Sequence, residues 1–257
     1  MNRRLPRIAM LCGDGPSSWF MYNALAGEAE VLAVVVERKP SSRAMIRHRL
    51  RQLGWFTVIG QLAFIAFNRL LARLQRRRID ELVLRYGLQA DSPPAAITHR
   101  VRSVNAAAVR RLLRKLDVDA VVVNGTRILS RAVIECIDRP FINTHVGITP
   151  RYRGVHGGYW ALVHGDAENC GVTVHLVDTG VDTGGVLYQQ RIHVESSDGF
   201  NTYPLHQLAA AIPLMKQALR DVVDGTLSHR DGVGPSGLWY HPTLSQYLRY
   251  RFSKSVK

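Results

Sequence analysis

Phe141-Ile142-Asn143-Thr144-His145 is an apolar run that ends in Asn-x-His, and Asp182 follows some 37 positions after His145 in Gly-Val-Asp-Thr-Gly. A strand delivers polar side chains to the rim of a sheet in this way. A converging amide, imidazole and carboxylate suit one chemistry: they stabilise an oxyanion while moving protons during acyl transfer. Asp178, four residues before Asp182 on the same Gly-flanked loop, is the competing carboxylate. His175 ends the alternating run Gly171-Val-Thr-Val-His and reads as a support for that loop.

Such residues need a scaffold. Ile8–Leu11, Val31–Glu37, Asp119–Val123 and Phe141–Thr144 read as buried parallel strands. Helical segments near 18–26, 105–116 and 130–136 lie between them. Strand and helix alternating in this order predict an α/β fold, an open, mostly parallel, twisted sheet with helices on both faces. Ligands in such sheets bind outside the carboxyl ends of the strands. Asn143, His145, the Gly13–Ser18 turn and the Asn124–Leu129 loop should therefore share one rim. Val172–Val177 and Val186–Val194 alternate as a later strand pair, and Tyr203–Val223 reads as a closing helix. The domain spans 1–225 on this reading, interrupted by a helical insertion at about 40–95. Residues 226–257 form a Gly/Pro/aromatic-rich irregular tail packed on or near the core.

At 257 residues with 46% apolar side chains, the chain fits one large domain with a sizeable core. Its three cysteines have no Cys-x-x-Cys spacing, which fits a reducing cytosol and argues against a disulfide framework. The histidines 145, 156, 164, 175 and 193 lack zinc-ligand spacing with a shared carboxylate, so no metal is expected. No secretory leader is evident, and a cytoplasmic location is expected. The net charge of +14 is concentrated: nine arginines and no acidic residue lie between Ser41 and Ile79, and the remainder carries about +5.

The run Gly125-Thr-Arg127-Ile128-Leu129-Ser130, the strand Phe141–His145 and the loop Thr149-Pro150-Arg-Tyr-Arg-Gly154 stand in order before Gly171-Val-Thr-Val-His175 and Val181-Asp182-Thr-Gly184. Together these five elements resemble the folate-dependent formyltransferase family, whose members act on glycinamide ribonucleotide, methionyl-tRNA and sugar nucleotides. The resemblance implies a Rossmann-like formyltransferase fold and transfer of a formyl group from 10-formyltetrahydrofolate to an amine. It implies catalytic roles for Asn143, His145 and Asp182, and it selects Asp182 over Asp178. Asn143 and His145 would donate to the tetrahedral oxyanion, where loss of one donor costs about 3–4 kcal/mol. Asp182 would hold His145 protonated or order a water that shuttles the proton, since a neighbouring carboxylate raises a histidine pKa. Arg127, Ile128 and Leu129 match the pterin-binding loop, with the Val177–Asp182 segment, including Val181, as the other wall. Acceptor contacts would come from Arg151, Arg153 and His156, the arginines gripping an anion.

Gly13 lies in Cys12-Gly-Asp-Gly-Pro-Ser-Ser18, where members that bind phosphorylated glycinamide carry an anion nest. Here Pro16 removes an N–H and Asp14 has the wrong charge, so a ligand site and a plain turn both stay open. The stretch 226–257 is shorter than the C-terminal β-barrel of the methionyl-tRNA members, which disfavours tRNA as acceptor. An amino sugar on a nucleotide or lipid carrier is the expected small-molecule amine, as in polysaccharide assembly. Glycinamide ribonucleotide or another small amine is the alternative, followed by a formyl-folate hydrolase or a non-catalytic membrane- or RNA-binding module.

The insertion reads as an amphipathic helical hairpin. Ile46, Leu50 and Leu53 fall on one face, with Arg43, Arg47 and Arg51 on another. Trp55–Phe67 is nearly all apolar, but thirteen residues are short of the roughly 20 that span a bilayer. Three readings of segment 43–78 are open: a solvated face, peripheral association with anionic membrane at the inner leaflet, or nucleic-acid binding. Nucleic acid is the least expected, because the aromatic residues form a block and do not interleave with the arginines.

Overall fold

The computed structural model describes residues 4–38, 46, 49–51 and 53–257. Arg43 and Arg47 lie outside the described residues. The elements run β1 (Arg7–Gly13), α1 (Pro16–Ala26), β2 (Glu30–Glu37), α2 (Trp55–Leu74), α3 (Arg76–Arg85), β3 (Thr98–Val101), α4 (Ala107–Lys115), β4 (Ala120–Asn124), α5 (Arg131–Ile134) and β5 (Phe141–His145). They continue with β6 (Arg153–Gly154), α6 (Gly157–Val163), β7 (Gly171–Leu176), β8 (Val186–Arg191), α7 (Tyr203–Asp224), β9 (Leu238–Trp239) and α8 (Leu244–Ser253).

Seven strands form one open sheet in the order β3-β2-β1-β4-β5-β7-β8. The pairs from β3 through β5 are parallel, and β7 and β8 add on antiparallel. Side-chain alternation explains why helices cover both faces. Ile8, Met10, Ala120, Val122 and Ile142 pack with α1 and α7, while Ala9, Leu11, Val121, Val123 and Phe141 pack with α4 and α5. Period two puts Asn143 and His145 on the same face as Phe141. The parallel register aligns Cys12 with Asn124 and Val123 with Asn143, so the strand ends expected to share a rim do so.

The insertion differs from its expected form in length. Helix α2 runs on through Arg69 and Arg73 to Leu74, giving 20 residues, long and apolar enough by length and composition to cross a membrane. Only one side of it is covered. Phe64 packs against Phe200 and Tyr247, and Gly60 meets Thr243 so closely that a Cβ would lie 2.8 Å from the threonine Cβ. Polar pins at seven-residue spacing hold the same side: Gln61 Nε2 donates to the His241 carbonyl, Asn68 exchanges amide bonds with Asn201, and Gln75 Oε1 accepts from Asn201. Helix α3 is anchored by Arg78, which binds Asp198, Glu195 and Glu81.

The C-terminal stretch is irregular to about residue 237 and then becomes regular. Strand β9 pairs in parallel with β6, joining the tail to the loop after β5. Helix α8 begins at a capping box in which Thr243 accepts from the Gln246 N–H and the Gln246 side chain accepts from Thr243 N–H. Its Tyr247 fills an aromatic cluster with Phe64, Tyr159 and Phe200.

Candidate active site

Antiparallel pairing of β5 with β7 sets Asn143 opposite His175 and His145 opposite Thr173. The loop after β7 leaves beside the start of β5, where the Val177 N–H donates to the Phe141 carbonyl. It then returns toward the end of β5. Gly184 makes the return possible, since a Cβ there would lie 1.8 Å from the Leu176 carbonyl oxygen. Asp182 turns in with φ of 51°, a left-handed conformation that aspartate tolerates better than most residues.

The result is a connected polar cluster. Asp182 Oδ2 accepts from the Gly154 N–H at 2.9 Å and lies 3.2 Å from His145 Nδ1. Its Oδ1 lies 3.6 Å from His175 Nε2. Asp178 instead accepts from the Gly180 N–H and the Thr183 hydroxyl, folding its own loop.

Hydrogen-bond logic assigns the protons. His175 Nδ1 donates to the Leu176 carbonyl at 2.7 Å, leaving Nε2 to accept from Asn143 Nδ2 at 3.1 Å. One amide N–H of Asn143 is thereby engaged and the second is left to donate. His145 Nε2 donates to the Tyr152 carbonyl at 2.6 Å, so its Nδ1 is the atom that takes up a further proton, directly against Asp182.

The expectation that Asp182 keeps His145 charged needs correction. Burial pushes the His145 pKa down, the Asp182 charge and the Tyr152 carbonyl push it up, and burial prevails. Burial also raises the Asp182 carboxyl, but the two histidines, as they gain a proton, and the Gly154 N–H outweigh it and hold it below the usual range. The resting pair is thus an ionised carboxylate beside a ring that resists its second proton. It is arranged to receive a proton at Nδ1 and stabilise the imidazolium as it forms. Gly147 permits this packing, because a Cβ would lie 2.7 Å from His145 Nε2 and 2.3 Å from the Tyr152 oxygen.

The other sequence-derived residues fall into two groups. Gly13 and the loop after β4 meet on the shared rim: a Cβ on Gly13 would lie 2.6 Å from the Gly125 oxygen. Beside them Asp14 pairs with Arg100 at 2.8 Å. Arg127 is held by the buried carboxylate of Glu37, which ion-pairs with its Nε at 2.6 Å and accepts from its backbone N–H at 3.0 Å and from Val104 N–H at 2.8 Å. Ile128 is left exposed and Leu129 is buried with Val133. Val177 packs against that same cluster. An exposed apolar step suited to one face of a flat heterocycle is therefore present at Ile128, whose carbonyl accepts from Asn105 Nδ2 at 3.0 Å. A hollow of about 610 Å³ lies against Val177, lined by Ile134, Phe141, Leu176 and Leu227, but Asn143, His145 and Asp182 do not line it. The hydrogen-bonded cluster defines the chemistry and the hollow does not.

Three residues expected to touch an acceptor are committed elsewhere. Arg153 donates to the Val181 carbonyl at 3.1 Å and so braces the Asp182 loop. Arg151 pairs with Asp166 at 2.9 Å. His156 lies tilted against Phe200 with ring centroids 4.4 Å apart and hydrogen-bonds His241 at 2.9 Å. Among the described residues, no group of three His, Cys, Asp or Glu side chains is arranged to hold a metal. Sequence reasoning missed Glu37, Tyr152 and Gly154. A lone acidic residue ending the apolar strand β2 was a usable signal for Glu37, while the other two act through backbone atoms and leave none.

An open sheet carrying Asn, His and Asp at the end of β5 defines a formyl-transfer scaffold, and comparison with known proteins agrees. The formyl transferase family model matches residues 68–212, more than half of the sequence, and the chain belongs to that family. A methionyl-tRNA formyltransferase from Albidiferax ferrireducens is 31% identical over 178 residues, covering 68% of this chain and 54% of that protein. One from Trichlorobacter lovleyi is 30% identical over 159 residues, covering 62% and 46%. The chain thus spans about half the length of the curated relatives it matches. Among solved structures, glycinamide ribonucleotide transformylase 1 from Symbiobacterium toebii superposes with a TM-score of 0.57 at 18% identity, covering 90% of this chain and 95% of that one. A sugar N-formyltransferase from a Shewanella species gives 0.54 at 14% identity, covering 91% and 76%. These structural likenesses establish the fold.

Proposed function

We propose that the protein transfers a formyl group from 10-formyltetrahydrofolate to a primary amine. The observation that carries this is the Asn143–His175–Asp182–His145 cluster on the rim of a formyl transferase sheet. When bound, the folate supplies the activated formyl group. The second N–H of Asn143 donates to the formyl oxygen as it gains negative charge. As the amine's bond to the formyl carbon forms, its proton passes to the His145–Asp182 pair and on to N10, whose bond to that carbon breaks to release tetrahydrofolate. The exposed Ile128 and the backbone beside it contact the pterin.

An amino sugar on a nucleotide or lipid carrier is the acceptor we favour. At the turn after β1, Asp14 and Pro16 occupy the place where a phosphate would need N–H donors, and Arg100 is already spent on Asp14. This disfavours a phosphorylated glycinamide. The test is tetrahydrofolate release from purified protein given 10-formyltetrahydrofolate and a panel of amines. Release only with an amino-sugar nucleotide supports the reading, and release without any amine identifies a hydrolase. Absence of both turnover and folate binding would end the enzyme assignment.

A further inference from the structure

The outward side of α2 is apolar where its inward side is pinned. Trp55, Phe56, Ile59 and Leu62 lie on the exposed side of the first three turns, with Phe56 74% exposed. At 100° per residue they form one stripe with Ala66, Leu70 and Leu74, and Leu74 is 76% exposed. Large contiguous apolar surface of this kind marks a docking face. The charge around it identifies the occupant. Arg69 and Arg73 interrupt the stripe in its last two turns, and Arg77 follows at the start of α3. All three are exposed, and among the described residues none has a carboxylate in ion-pair range. No acidic residue occurs from 41 to 79. The two other arginines of this run behave differently: Arg78 is bound to Asp198, and Arg76 lies 3.5 Å from Asp80.

We propose that this face binds the surface of an anionic lipid bilayer. Helix α2 lies in the plane of the interface, its aromatic and aliphatic stripe set among the acyl chains and Arg69, Arg73 and Arg77 at the lipid phosphates. Its length would permit a span, but the buried Gln61 and the half-buried Asn68 and Gln75 hold the opposite side to the protein body. A spanning helix would break these bonds and expose amides to hydrocarbon. An anionic partner is required because neutral lipid would leave three arginines without counter-charge. The proposal does not depend on which amine the active site takes.

Vesicle co-sedimentation tests it, using the whole protein and phosphatidylcholine vesicles with or without phosphatidylglycerol. Wild type should pellet with the anionic vesicles and stay in solution with the neutral ones. Each interfacial arginine contributes roughly fivefold in partitioning, so Arg69→Ala/Arg73→Ala/Arg77→Ala should weaken binding about 100-fold. Trp55→Ser/Phe56→Ser/Ile59→Ser should abolish pelleting. Thermal melts of both variants should match wild type, since every altered side chain is exposed. Brominated acyl chains should quench tryptophan emission in wild type and lose most of that effect in Trp55→Phe. Failure of wild type to pellet overturns the proposal, as does pelleting of the variants like wild type. So would a dimer that the apolar variant dissociates, which would assign the face to a second copy, or preferential binding of single-stranded RNA over vesicles.

Discussion

Asp182→Asn tests the site most directly, because a single oxygen of Asp182 serves two neighbours. Oδ2 accepts from the Gly154 N–H at 2.9 Å and faces His145 Nδ1 at 3.2 Å. An asparagine must put either its oxygen or its NH₂ group there. The oxygen keeps Gly154 but confronts the unprotonated Nδ1 with no charge to favour a proton between them. The NH₂ group satisfies Nδ1 and turns an N–H against the N–H of Gly154. The Gly154 N–H either keeps a bond to a now uncharged oxygen or loses it altogether, and a hydrogen bond to a charged group is worth about 1.5–3 kcal/mol against about 1 kcal/mol for a neutral one, so unfolding free energy should fall by about 1–2 kcal/mol. Turnover should fall much further, because His145 is depressed by burial and the Asp182 charge, ahead of the Tyr152 carbonyl, is the larger influence that offsets the cost of protonating it. Loss of a carboxylate that orients and stabilises a histidine costs on the order of 10³–10⁴ in rate. The assay is tetrahydrofolate release across pH with a melt on the same preparation, and Asp178→Asn is the control because that residue serves only its own loop. A folded Asp182→Asn enzyme with wild-type turnover would refute the reasoning. An equal loss in the Asp178 variant would show that loop order, and not the His145 contact, is what matters.

Two further outcomes follow from the geometry. Burial pushes His156 down to about 3, and burial with the nearby Arg49 charge pushes His241 down to about 4. Both stay neutral in the fold while the unfolded chain protonates them below its ordinary histidine pKa of about 6.5. Their contribution to stability is therefore whole above that value and is lost as pH falls toward 4. Melting temperature should drop over this window, and replacing His241 with phenylalanine should flatten the drop; an unchanged slope would exclude the pair as its source. Arg78→Ala strips the buried Asp198 of its cation and should cost about 3–5 kcal/mol, whereas Arg76→Ala at an exposed pair should cost under about 1 kcal/mol. Chemical denaturation distinguishes them, and equal small losses would show that α3 is not anchored there.

Much of the fold was legible from local pattern. Apolar runs such as Ala120–Val123 and the helical periodicity of 107–115 are properties of consecutive residues, so β1, β2, β4, β5 and the helices between them lie close to where the sequence places them. The rim followed, because parallel strands bring their carboxyl ends together. Helix α2 was longer than expected because Arg69 and Arg73 point outward and do not interrupt its packed side. The partners that Arg151, Arg153 and His156 take in the fold, Asp166, Val181 and His241, were not legible because they come from other parts of the chain.

What the sequence by itself determined is the set of chemical groups: Asn143 and His145 two apart on one strand face, an acidic loop after a second strand, and an arginine run without acidic neighbours. Only the tertiary structure decided how they are used. The antiparallel register of β5 and β7 commits one Asn143 proton to His175, and the returning loop selects Asp182 for His145. Burial, which no single residue type reveals, turns His145 from an expected cation into a ring that resists protonation. Hydrogen bonding, register and desolvation are all relations between distant segments, and they come into being only when the chain has folded.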